Sequence, residues 1–140
     1  MREILFRGKT TLDNEWVIGA GVYKSEGHTW IIADDVTKTE NRGTGSDAIN
    51  PETVGQYTGL TDKNGKKIFE GDIVLFPWGE KKEVFSVEFV EGEFEAIPKR
   101  KSTDIWCIRI GSYAPEFEVI GNIHDNPELL RTLQNDEVRE

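Results

Sequence analysis

Apolar and polar positions alternate with a period of two through most of this chain. Residues 3–9 set Ile4 and Phe6 on one face, and 15–23 (EWVIGAGVY) put Trp16, Ile18, Ala20 and Val22 at every second position. Gly19 and Gly21 share the opposite face, where the missing Cβ admits a bulge or a closely packed neighbour. Residues 28–33 (HTWIIA) follow a turn at Ser25-Glu26-Gly27. Three strands joined by short links predict an antiparallel meander.

The alternation stops at Asp34. Residues 34–50 (DDVTKTENRGTGSDAIN) show no period, a long gap that predicts a flexible connector or lid. Their Gly43-Thr44-Gly45-Ser46 run is followed by no Gly-Lys-Ser and opens no helix, so it does not fit a phosphate loop. Strand patterns resume at 53–60, 67–70, 73–76, 84–90, 94–97, 104–110 and 117–120. Asp62 with Asn64-Gly65, and Gly71-Asp72, supply the turns between the first of these. Short strands with tight turns predict an SH3-like small β-barrel, whose closure would hide the sheet edges. One helix is predicted over about 126–133, capped by Asp125 or Asn126, with Pro127 in its first turn and Leu129, Leu130 and Leu133 as its apolar stripe. The expected class is therefore mostly β. An N-terminal meander (1–50, including the loop 34–50) packs as one unit with a barrel-like half (51–140) that ends in one short helix.

Composition narrows what such a fold does. A chain of 140 residues buries roughly two-thirds of its unfolded surface, enough for a core without disulfides or metal. The 17 basic and 26 acidic residues give a net charge of −9, which weighs against nucleic acid as a partner and reads as a solvated surface. The single cysteine, Cys107, excludes an intrachain disulfide and a cysteine-based zinc site, and its apolar neighbours predict a buried position. The N-terminal segment lacks the long apolar run of a signal peptide or membrane span, so the expectation is a cytoplasmic protein with no membrane contact.

Candidate chemistry is sparse. His28 and His124 sit in no ligand-spaced pattern, and the alternating glutamates of 91–95 fit the solvent face of a strand, so neither metal nor cofactor is expected. Asp72, after Gly71, is read as bonding turn amides. The one basic and aromatic constellation is a rim of Trp78, Lys81, Lys82, Lys99, Arg100 and Lys101, brought to one hairpin end if the intervening strands pair. Small β-barrels hold single strands with such rims.

The stretch 50–74 (NPETVGQYTGLTDKNGKKIFEGDIV) resembles the YopX family of bacteriophage and prophage proteins. Arg2, Phe6-Arg7-Gly8 and Trp16-Val17 are similar to that family's opening. Residues 117–123 (FEVIGNI) and 126–130 (NPELL) are similar to its ending. The resemblance implies a phage or prophage origin in a bacterial host, a mainly β fold with a barrel-like second half, and self-association. It implies no enzymatic activity and carries over no catalytic or ligand residues; the departures lie in 34–50 and 78–101. The signature residues Gly55, Tyr57, Gly59, Asp62, Gly65, Glu70, Gly71 and Asp72 each have a turn or core role available, which predicts that they serve folding. The functional expectation is a non-catalytic binding or self-assembling protein whose partner is another copy of itself, or a phage or host protein. A nucleic-acid module using the rim is the alternative, and an enzyme of unrecognised type comes third.

Overall fold

The structure, a computed structural model, describes residues 2–33, 46–100 and 102–130. It is mostly β and divides into two compact units, Met1–Tyr57 and Thr58–Glu140. The expected boundary after residue 50 therefore falls later, within a strand.

In the first unit, β1 (Phe6–Lys9), β2 (Trp16–Ser25), β3 (His28–Ala33) and β4 (Ser46–Ile49) form an antiparallel sheet in the order β4-β3-β2-β1. The start of β5 (Gly55–Thr61) pairs with β1 on its far side. Strand β4 corrects the expected loop: residues 46–49 pair with β3 from Thr29↔Ile49 to Ile32↔Ser46. Its alternation was hidden because Asp47, a polar residue, takes an inward position opposite Ile31. Residues 34–45 lie outside the described residues.

The sheet curls back on itself. Thr10 bridges Ile49, Thr11 N–H donates to Ala48 at 3.0 Å, and Asn50 N–H donates to the Lys9 carbonyl at 2.9 Å. Inside the curl, a Cβ on Gly8 would lie 2.5 Å from Ile49 Cγ2, and one on Gly19 would lie 1.8 Å from the Ile32 carbonyl oxygen. Only hydrogen fits at Gly19, and there the strand bulges: Gly19 pairs with Ala33 but Gly21 with Ile32, leaving Ala20 as the extra residue. The bulge breaks the expected single face. Trp16 and Ile18 point outward before it, and Val22 points inward beside Ile31 after it.

The second unit begins where β5 pairs with β6 (Lys67–Phe69). Strands β7 (Asp72–Trp78), β8 (Lys81–Val90), β9 (Glu93–Pro98), β10 (Ile108–Arg109) and β11 (Glu118–Asn122) form an antiparallel sheet in the order β10-β9-β8-β7-β11. That sheet is open, and the expected SH3-like closure is not present. The predicted strand 104–110 shrinks to Ile108–Arg109 because Ile110 opens the one-turn helix α1 (Ile110–Tyr113). Burial there runs Ile105, Ile108, Ile110, a spacing that no regular strand produces. Cys107 is exposed, not buried as its apolar neighbours predicted.

Phe76, Phe85, Val74, Val87, Ile110 and Phe117 centre the core, with Phe76 and Phe117 ring centroids 4.7 Å apart. Each such side chain contributes about 1.5–3 kcal/mol by burial. Of the predicted helix 126–133, residues 128–130 are helical and those from 131 onward lie outside the described residues.

Candidate functional site

The distinctive segment of the sequence is consumed by backbone bonding. Asp62 Oδ1 accepts the amides of Asn64 (2.8 Å) and Lys66 (2.9 Å), fastening the hairpin turn that Gly65 completes at φ 80°. Its Oδ2 reaches across to accept the Val119 amide at 2.9 Å, while Lys63 N–H donates to the Phe117 carbonyl. The β5–β6 turn thus closes part of the free edge of β11. Burial pushes the Asp62 carboxyl up, but the three amide bonds and the Lys66 charge outweigh it and hold the group below its ordinary value.

Asp72 is also buried, and its Oδ2 accepts the Phe69 amide at 2.7 Å. Gly71, at φ 93°, donates to Val87 and accepts from Ile123. Gly55 pairs with Arg7 in the sheet and Tyr57 N–H donates to the Leu5 carbonyl; both residues are buried. Gly59 is exposed at φ 91°, and Glu70 is half-buried beside the Gly71 turn.

The rim assembles as expected at one hairpin end, but its charge is largely met. Trp78 pairs with Lys81 and Pro77 with Lys82 across the β7–β8 turn, and Lys99 N–H donates to Val84 on the adjacent strand. The Arg100 guanidinium forks onto Glu83 (Nη2–Oε1 2.9 Å, Nε–Oε2 3.4 Å) and lies 3.7 Å from Asp104. The Ser102 hydroxyl bonds the Asp104 carboxylate and holds it below its ordinary value. Lys82 lies 3.9 Å from Glu118, which Lys63 also approaches at 3.3 Å. Trp78 Nε1 donates to the Asp104 carbonyl, and its ring meets exposed Trp106 edge to face at 5.1 Å. Lys101 lies outside the described residues.

Nothing in the remaining ionisable groups of this unit gathers into a catalytic set. Partial burial, with the charges of Glu95 and Glu88, pushes the Cys107 thiol up, away from thiolate character at neutral pH. Among the described residues no group of three or more His, Cys, Asp or Glu is placed to hold a metal ion, and no helix is long and apolar enough to cross a membrane.

A second surface was not anticipated from the sequence. Cross-strand partners share a face, so the pairs Lys9↔Trp16, Arg7↔Ile18 and Tyr23↔Trp30 all point out of the first sheet. Ile18, Tyr23 and Ile32 are 41%, 40% and 49% exposed. Tyr23 and Trp30 lie nearly parallel (13°) with centroids 6.3 Å apart, and His28 meets Trp30 edge-on at 6.2 Å. Arg7 Cζ lies 4.8 Å and Lys9 Nζ 5.5 Å from the Trp16 ring centroid. The Gly19–Gly21 pair was the available signal, because a bulge there exchanges inner and outer positions.

Two open antiparallel sheets, tied by a turn segment whose carboxylates serve the backbone, define a mostly-β protein without a recognisable catalytic constellation among its described residues. The chain belongs to the YopX family: the sequence profile of the YopX protein matches residues 5–131, nearly its whole length. Among solved structures it is similar to protein EF1440 from Enterococcus faecalis, at 24% identity and a TM-score of 0.50. That match covers 93% of this chain and 99% of the other, and it supports the fold alone. No curated protein matches the sequence significantly.

Proposed function

We propose that this is a non-catalytic accessory protein of phage or prophage origin that works in the bacterial cytoplasm by binding, either to copies of itself or to a phage or host partner. The observation that carries this reading is the outer face of the first sheet, where Ile18, Tyr23 and Ile32 stand open on neighbouring strands. A contiguous exposed apolar face favours association. Family membership supports the phage origin. The bonding of Asp62 and Asp72 supports reading the signature as fold-holding, so that function lies on other surfaces.

Light scattering over a wide concentration range tests the self-association arm. A mass above that of the monomer, rising with concentration, is expected; a strict monomer at high concentration removes that arm and leaves the partner arm. The alternative, nucleic acid on the Trp78 to Arg100 rim, has an indole in its favour. Against it, Arg100 and Lys82 already face carboxylates and have less to offer a phosphate.

A further inference from the structure

We infer that the outer face of the first sheet is a platform for single-stranded nucleic acid, a proposal that rests on the binding reading above and names its partner. Stacking on exposed aromatics together with cations is how sheet surfaces hold single strands without sequence preference. Here Tyr23 and Trp30, paired directly across β2 and β3, offer two nearly parallel rings. Trp16 lies toward the other end of β2, about 20 Å away along the strand at roughly 3.3 Å per residue. Several unstacked nucleotides span that distance. Arg7 and Lys9 sit over Trp16 and place positive charge where the phosphates of such a strand would run.

Charge complementarity selects this occupant. The chain has 26 acidic residues, yet β1 to β4 contain one, Asp47, and its register turns it inward beside Ile31. The outer face therefore presents aromatics and cations and no strand carboxylate. A second copy docking face to face would bring the same cations with no carboxylate from these strands to meet them, which favours an anionic polymer over self-pairing. In the second unit, Glu88 and Glu95 stand directly opposite on β8 and β9, and Glu93 pushes the Glu95 carboxyl up, so that surface repels the same polymer.

The test uses the full chain and a fluorescein-labelled oligothymidylate of about twenty nucleotides, followed by anisotropy at low salt and then through a salt series. Saturable binding is expected. Log affinity should fall against log salt with a slope of about −1.4, from two phosphate contacts at about −0.7 each. Tyr23→Ala weakens binding by about tenfold, Tyr23→Phe binds as the parent does, and Lys9→Glu weakens binding and flattens the slope. All three variants are expected to keep the parent's thermal midpoint, which separates lost contacts from lost folding. Absence of binding at low salt overturns the inference. So does binding that is indifferent to Tyr23→Ala and Lys9→Glu, or duplex DNA bound as tightly as the single strand. If the oligonucleotide is not bound while light scattering shows a dimer that Tyr23→Ala dissolves, the inference fails and the binding reading survives with a second copy as the occupant. If the oligonucleotide is not bound and the chain stays monomeric, both the inference and the self-association arm fail.

Discussion

At the scale of single residues, the tightest constraint is at Gly19. A methyl group there would sit 1.8 Å from a backbone oxygen of the neighbouring strand, and no side-chain movement relieves it. Gly19→Ala is expected to destabilise the first unit by about 3 kcal/mol or more, as overpacking against fixed backbone does. Urea denaturation followed by far-UV circular dichroism reads this directly. Gly111→Ala is the contrast, because nothing lies within 4 Å of its added Cβ and the site is helical. There the change should be neutral or stabilising by up to about 1 kcal/mol. Equal losses at the two sites would show that the curl of the first sheet is looser than its geometry.

At the scale of elements, Asp62 couples a turn to a strand edge. Removing its carboxylate leaves three amides to find new partners, so Asp62→Ala is expected to cost about 2–4 kcal/mol, with faster hydrogen exchange at Val119. The pH dependence follows from the lowered native pKa. Stability from this group is fully present above the unfolded value near 3.8 and is lost as pH falls through the lower native value. The gap in unfolding free energy between the parent and Asp62→Asn should therefore narrow between about pH 5 and pH 2. A gap that stays constant over that range would show that the amide bonds do not favour the charged form. The rim belongs to this scale as well. Arg100→Ala leaves half-buried Glu83 without its forked partner and should cost roughly 1 kcal/mol by thermal melting, with no loss of oligonucleotide affinity.

At the scale of the whole molecule, much of the fold was legible in the sequence and the candidate surface was not. Strand patterns such as 28–33 and 84–90 announced themselves because each buries one face, and the turns at Asn64-Gly65 and Gly71-Asp72 were written in residues with specific backbone uses. Three features resisted reading. β4 hid behind the inward Asp47, Ile108–Arg109 gave way to a helix within a run of apolar residues, and the bulge at Gly19–Gly21 exchanged faces midway along β2. The third mattered most for function. A strict period of two assigns Trp16 and Ile18 to the core with Val22, whereas the bulge turns the first two outward beside Arg7 and Lys9. A bulge costs one residue of register, so a single extra position decides whether an aromatic row reads as core or as surface. The net charge of −9 also misled, since it averages over a chain whose acidic residues all but avoid four adjacent strands.

The proposal that this protein binds through the outer face of its first sheet, and not through its signature or its basic rim, is tested most directly by backbone amide chemical-shift mapping of the full chain titrated with oligothymidylate. Perturbations centred on Trp16, Tyr23, Trp30 and Ile32, with Asp62 and Asp72 unmoved, are the expected result. Shifts confined to Trp78–Lys82 and Lys99–Arg100, or no shifts at saturating oligonucleotide, would contradict it.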